Sequence, residues 1–351
     1  MVVREHPLHA VETALHHLTK TPRRKFLSQS VFVGILFLVV YYHFGAGLAG
    51  EIVVFAIFAL AYNHLLGYAG EMSFGHAAFF GTGAYASVFA AEYVTESVLL
   101  TIGVGTLSAL VLSVIFGFVS LRRRGLYFAM VTLALAQMLY FLVLQLGNIT
   151  GGHDGIAFPL FEGYVGPLNV LDRGVGFFIF TFVVFFLVWI GFYRVTRSPY
   201  GEAIQAVRDS EERARHLGYN VDRLLLMAFT MSGTVSGLAG ALYAVLISFI
   251  SPNVLFWSTS GEIVLITVLG GIGAFAGPVI GAVTYISLRE YLSGFTEHFP
   301  LLFGLIIVIV VIYSPDGIYG FIERQWDRFR KPDQSGMSGK GDETQPSSDD
   351  C

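Results

Sequence analysis

The chain has 351 residues, of which 54% are hydrophobic and only 13% charged, with a net charge of -4 and a mean hydropathy of +0.66. This composition excludes an ordinary soluble domain, and the basic residues cluster at the ends of apolar runs rather than on one face, which argues against nucleic acid as a partner. The single cysteine, Cys351, stands at the last position, so neither an internal disulfide nor a cysteine-based metal cluster can form.

Residues 8 to 18 place Leu8, Val11, Leu15 and Leu18 at helical spacing, the pattern of a short amphipathic helix lying on a membrane surface. His9, His16 and His17 invite a metal reading, but adjacent His16 and His17 point to different helix faces. Arg23, Arg24 and Lys25 precede a long apolar run without a small-residue cleavage site, so the first span is expected to stay in the membrane. That span is expected at residues 31 to 48, where 18 residues at about 1.5 Å each approach the thickness of a bilayer core. Further apolar runs follow at 52 to 68, 75 to 92, 97 to 120, 126 to 147, 174 to 194, 224 to 249, 261 to 291 and 299 to 314.

The run from 261 to 291 is too long for one span and is interrupted by Gly270, Gly271, Gly273, Gly277 and Pro278, so it is read as a hairpin of two shorter helices. Charge supports that choice. With ten segments and an inside N-terminus, Lys20 to Lys25, Arg122 to Arg124, residues 195 to 222 and Arg324 to Lys331 all fall on the cytoplasmic side, leaving Arg173 and Arg289 outside. The expected organisation is a cytoplasmic segment over 1 to 28, a membrane domain over 29 to 320, and a basic then disordered cytoplasmic tail over 321 to 351.

Four stretches carry the functional reading. Gly70 to Tyr85 combines Glu71, Ser73 and His76 with Gly70, Gly75, Gly81 and Gly83. Glycine density permits close helix packing or a broken helix lining a cavity, and ionisable groups at membrane depth usually face a pore or a partner. Both readings stay open for this stretch. Thr150, Gly151, Gly152, His153, Asp154 and Gly155 form an outer loop that suits a turn or a docking protein. Gly233, Gly237 and Gly240, and separately Gly273, Gly277 and Gly281, are small-residue seams for internal packing or an interface.

The fourth stretch begins at Ser198, a helix cap, with Pro199 in the first helical position. Ala203, Val207, Ser210, Ala214 and Leu217 recur as one apolar or small stripe, while Glu202, Arg208, Asp209, Glu211, Glu212, Arg213 and Arg215 take the other faces. Asp209 with Arg213 and Glu211 with Arg215 are acidic-first pairs four apart, and Gly218 and Asn220 supply the stop. A solvated helix and a docking element both satisfy this pattern.

Glu212, Arg213, Ala214 and Gly218 match the spacing of the E-A-A-x-x-x-G loop of ABC importer permeases, with Arg213 replacing the first alanine. Gly201 through Ala244 resembles the branched-chain amino acid permeases of the LivM type. Gly70 to Tyr85 follows their pattern G-x-x-S-x-G-H-A-A-F-x-G-x-G-A-Y, with Glu71 where the family often has a neutral residue. Gly125 to Gln137, Thr150 to Gly155 and the run G-G-x-G-x-x-x-G-P-x-x-G from Gly270 to Gly281 extend the likeness over about residues 50 to 320.

The resemblance implies an all-α, polytopic permease of about ten transmembrane segments, similar to the vitamin B12 and ribose-type (type II) ABC importers, in the cytoplasmic membrane. Gly201, Glu202, Arg208, Glu212, Ala214, Arg215 and Gly218 would form the ATPase-coupling helix. Gly70, Glu71, Ser73, Gly75, His76, Gly81, Gly83, Thr150, Gly151, Gly152, Gly271, Gly273 and Gly277 would serve the pathway or helix packing. Expected partners are a LivH-like permease, two ATPase subunits that use ATP and Mg, and an extracytoplasmic solute-binding protein. The chain itself would bind no cofactor, and it lacks G-x-x-x-x-G-K-[ST], since Gly339, Lys340 and Gly341 have neither the first glycine nor the hydroxyl. The expected cargo is leucine, isoleucine or valine, with urea or short amides as alternatives. An ion-coupled secondary transporter using Glu71, His76 and Glu262 is the rival, ahead of an intramembrane enzyme built on His76 or His153.

Overall fold

The computed structural model describes residues 22–94, 97–157, 163–165, 168–171, 174–294, 299–313 and 317–330. Helix α1, Pro22–Asn63, is interrupted at Gly45, whose φ of 78° and ψ of 177° are not helical. A straight helix of 42 residues would reach about 63 Å. Both of its ends nevertheless meet the same turn: the Phe26 ring centroid lies 6.4 Å from that of Phe275, and Asn63 donates to the Ala274 carbonyl at 3.1 Å. The two limbs therefore run antiparallel, folded at Gly45, where glycine tolerates a positive φ. This recovers two expected spans, with the turn placed earlier than the apolar runs suggested.

A π-helical turn, His64–Ala69, ends the second limb at Gly70 in the left-handed region. Helices α2 (His76–Tyr93), α3 (Val98–Ser120) and α4 (Leu126–Gln145) follow, then helical turns at Gly147–Thr150 and Gly152–Asp154. Short strands β1 (Ile156–Ala157), β2 (Gly163–Val165) and β3 (Leu168–Leu171) precede α5 (Val175–Thr196), α6 (Pro199–Asp209), α7 (Glu211–His216) and α8 (Val221–Ile247). Beyond β4 (Phe249–Ile250) come α9 (Trp257–Gly270), α10 (Gly277–Ser293), α11 (Phe299–Tyr313) and α12 (Gly317–Arg330). β1 pairs antiparallel with β4 and β2 with β3. Helix α12 and these strands had no counterpart in the sequence reading. The N-terminal histidines and the tail after Arg330 lie outside the described residues.

Among the described residues, five helical segments are long and apolar enough to cross a membrane: Phe26–Ala69, Val98–Ser120, Leu126–Gln145, Val175–Thr196 and Val221–Ile247. Helix α8 is the central element. The Phe80 carbonyl stands where a side chain on Gly240 would begin, Ala109 does the same at Gly237, and the Gly237 backbone blocks Gly83. Backbones thus approach along α2, α3 and α8, which is how helices gain contact area where lipid supplies no hydrophobic drive. The Gly233, Gly237 and Gly240 seam is consumed inside the chain, leaving none of these positions for a second subunit. The run from 261 to 291 is a hairpin, as its glycines predict: α9 and α10 are joined through Gly271 and Gly273, with φ of 118° and 78°.

Candidate functional site

The expected coupling segment lies across one end of the bundle. Ser198 Oγ accepts from the Gly201 amide at 3.3 Å, and Pro199 opens α6, as the cap pattern requires. Gly201 is buried, and the backbone of Val195 and Thr196 occupies the space a side chain would need. Its function in the fold is the tight passage from α5 into α6. The helix does not continue to Leu217. Ser210 is extended, with φ of -165°, and its Oγ accepts from the Arg213 amide, so it ends α6 and caps α7. Serine's short hydroxyl competes for backbone donors, which the apolar spacing alone does not register.

This break changes the expected stripe. Ala203 is buried, and Ile204, Val207 and Ala214 pack in one cluster with Leu65, Phe128, Val221 and Leu225, whereas Leu217 is 76% exposed. Asp209 and Arg213 form no ion pair because Ser210 separates their helices. Glu211 and Arg215 do pair, at 2.8 Å. Arg124 bonds Asp222 and lies 3.6 Å from Glu211, and Arg215 also reaches Asp222 at 3.2 Å. This four-charge network ties the α3–α4 connection, α7 and the start of α8. Its members are partly solvated, so water screens each pair and weakens it. Gly218 takes a φ of 88° to end α7. Asn220, rather than adding to that stop, caps α8 through the Arg223 amide at 3.1 Å. Glu202, Glu212, Arg213, Arg215, Leu217 and Tyr219 face outward.

Arg208 turns back from this surface. Its guanidinium donates to the Gly67 carbonyl, passes beside Gly70 and reaches the position of a side chain on Gly273. Asn63 completes the junction: it donates to the Ala274 carbonyl at 3.1 Å and accepts from the Gly273 amide at 2.9 Å. The coupling segment, the π turn and the α9–α10 turn are therefore joined at one end of the molecule. Gly317 abuts Gly271 there, which brings in the start of α12. Nothing in the sequence marks Asn63, since a single polar residue in an apolar helix has many uses.

The Gly70 to Tyr85 residues divide. Glu71 lies in the loop at the α6–α7 end, mostly buried. Burial raises its carboxyl above the ordinary carboxylate range; Arg124 and the Gly125 amide act the other way, and Glu211 adds to the rise. His76 is fully buried between Ser73 Oγ at 3.1 Å on Nδ1 and Ser232 Oγ at 2.8 Å on Nε2. Ser232 spends its proton on the Ala61 carbonyl at 2.5 Å, so in the neutral ring Nε2 carries the hydrogen and Nδ1 accepts from Ser73. Ser73 also accepts from the Gly75 amide at 3.1 Å. These side chains fasten the loop before α2 to α8 and α1. Gly81 faces the Leu255 side chain.

At the opposite end, Thr150 is buried and donates to the Val143 carbonyl at 2.6 Å, closing α4. Gly151 and Gly152 take φ of 74° and 55°, and the chain then pairs Ile156 with Ile250. His153 and Asp154 are exposed. Glu262 bonds Arg289 at 3.0 Å, and Arg289 also bonds Glu51 at 2.5 Å. Arg289 therefore sits near the end of α10 with two carboxylate partners. Glu71, His76 and Glu262 do not converge. No cluster of three metal-ligating side chains occurs among the described residues.

A bundle of apolar helices capped at one end by a charged helical pair defines a multi-pass α-helical membrane protein. The family model described as branched-chain amino acid transport system / permease component matches residues 45–314, and the chain belongs to that family. It is 28% identical over 286 residues to the high-affinity branched-chain amino acid transport system permease protein LivM of Escherichia coli (strain K12), covering 76% of this chain and 67% of that protein. It is 23% identical over 316 residues to the probable branched-chain amino acid transport permease protein LivM of Methanocaldococcus jannaschii, with 76% and 90% covered. Identity to the permease protein LivH of Escherichia coli (strain K12) is 25% over 285 residues, with 76% and 91% covered. No solved structure matches.

Proposed function

We propose that this permease is one membrane subunit of an ABC importer for branched-chain amino acids, paired with a LivH-like permease. In this reading two ATPase subunits hydrolyse ATP with Mg on the cytoplasmic side, and an extracytoplasmic binding protein delivers leucine, isoleucine or valine. The bundle crosses ten times, through both limbs of α1 and through α2, α3, α4, α5, α8, α9, α10 and α11, in the type II arrangement. Both termini and the α6–α7 end then face the cytoplasm.

The observation that carries this reading is the construction of α6 and α7. Their apolar side is anchored in the bundle through Ile204, Val207 and Ala214, while Glu212, Arg213, Leu217 and Tyr219 remain exposed. A helical pair held rigidly from below and open above is suited to transmit a push from a docked motor. The names of the relatives support the cargo, and both LivM and LivH proteins are among them.

The test is co-purification from mild detergent. An ATPase should accompany the native chain, and Leu217→Asp should release it while the chain still inserts and elutes normally. Recovery of the chain alone, catalysing gradient-driven uptake in liposomes, would overturn the proposal. Competition of leucine uptake by valine and isoleucine, but not by urea or acetamide, tests the cargo separately.

A further inference from the structure

Beside the α6–α7 end, a cavity of about 720 Å³ opens between the end of α3 and the start of α8. Its walls differ in chemistry. Gly117, Phe118, Leu121 and Leu226 line one side, and the other carries Arg122, Arg124, Arg215 and Arg223 against only two carboxylates, Glu211 and Asp222. Arg124 and Arg215 are engaged with those acids. Arg122 and Arg223 have no counter-ion among the described residues, although both border the cavity.

The apolar wall continues into a lipid-facing stripe. Leu107, Val111, Ile115 and Phe118 of α3 follow one another at helical spacing, each more than half exposed. They end at the arginines. A ligand filling this cavity therefore needs an anionic head between Arg122 and Arg223 and a hydrocarbon body along Ile115 and Phe118.

We infer that the cavity is a headgroup site for an anionic phospholipid, its phosphate held by Arg122 and Arg223 and its acyl chains laid along α3. This rests on the chain spanning a membrane and not on the cargo or on the ATPase partner. Guanidinium suits phosphate because it offers paired donors in a fixed plane, and basic pockets at helix ends are where such headgroups are recognised. Since Glu211 and Arg215 belong to α7, the same lipid would brace the exposed helical pair against the bilayer.

The test is native mass spectrometry of the full chain, with any partners that co-purify, after relipidation with phosphatidylglycerol, phosphatidylcholine or neither. Phosphatidylglycerol should remain bound and phosphatidylcholine should not. Each surface arginine contributes roughly fivefold to such binding, so Arg122→Gln with Arg223→Gln should weaken retention about 25-fold. Arg122→Lys with Arg223→Lys should recover most of it. Neither guanidinium has an ion-pair partner among the described residues, so unchanged thermal unfolding of the variants is expected and separates loss of binding from loss of fold. Equal retention of phosphatidylcholine, or no effect of the glutamine pair, would overturn the inference. Displacement of the lipid by inorganic phosphate at equal concentration would overturn it as well, because the site would then read only the anion.

Discussion

Replacing Asn63 by leucine removes both hydrogen bonds that hold the α9–α10 turn while keeping the side-chain volume nearly constant. Asn63 is 1% exposed, and its amide satisfies the Ala274 carbonyl and the Gly273 amide at 3.1 and 2.9 Å. The substitution leaves one half-buried acceptor and one half-buried donor without partners, each costing about 1–3 kcal/mol. The expected destabilisation is roughly 2–6 kcal/mol. Gly273→Ala attacks the same turn from the backbone, since a φ of 78° is unfavourable for any residue with a Cβ by about 1–2 kcal/mol. The two changes touch, so the double variant should lose less than the sum of the single losses. Thermal unfolding in detergent reads the stability, and uptake normalised to folded protein reads the consequence for Arg208, which rests on this turn. An Asn63→Leu chain that unfolds at the native temperature, or a strictly additive double variant, would refute the account of the junction.

Other expectations follow from the packing. Ala214→Glu places a charge at a buried position and should lower the amount of folded chain, whereas Leu217→Asp should spare folding; fluorescence-detected size exclusion separates the two effects. Gly237→Val should prevent α8 from closing on α3 and abolish recovery of monodisperse protein, while Gly103→Val, with open space around it, should be neutral in the same assay. His76→Leu leaves the Ser73 hydroxyl without its acceptor, while Ser232 keeps its bond to the Ala61 carbonyl, and should cost about 1–3 kcal/mol in thermal unfolding. Lost uptake at full stability would contradict that structural assignment. For Glu71 the folded carboxyl is raised above its ordinary value, so its stabilising contribution is present below the unfolded pKa and is lost as pH rises through the folded one. Glu71→Gln should therefore be more stable than the native chain near neutral pH, with the difference closing on acidification; a less stable glutamine variant at neutral pH would contradict the sign.

What the sequence disclosed was governed by periodicity and by glycine. Apolar runs of bilayer length located the helices, and Gly270 to Gly277 marked the hairpin because a run that long needs an internal turn. Ser198 with Pro199 marked the start of α6, since cap chemistry is local. Ser210 was read as one more small residue on a stripe, because spacing does not show whether a serine hydroxyl bonds its own backbone. Leu217 was assigned to the buried side for the same reason: once α6 ends, the stripe's phase is lost. Asn63, Arg208 and Glu51 act across 141 to 238 residues of separation, and no local pattern reports a partner so distant. The fold of α1 is legible as two runs, but its turn at Gly45 is not, since Gly45 lies inside the first apolar run and Gly47 and Gly50 stand close by.

The same junction bears on the two transport readings. Under the proposed function, force applied to Glu212, Arg213 and Leu217 must reach the helices, and several routes are available in parallel. Ile204, Val207 and Ala214 press on the core that includes Phe128 and Phe229. Arg208 reaches the π turn, and Arg124 with Asp222 links α7 to the neighbouring helix ends. A displacement of the pair therefore moves the ends of α1, α8 and the α9–α10 hairpin together, which is the behaviour of a rigid lever. The ion-coupled alternative requires instead that titrating groups share a path. Glu71 lies at the lever's end, His76 is held by two serines, and Glu262 is paired with Arg289. None of the three bonds another among the described residues, so the geometry favours a chain driven from its end over one driven by ions through its middle.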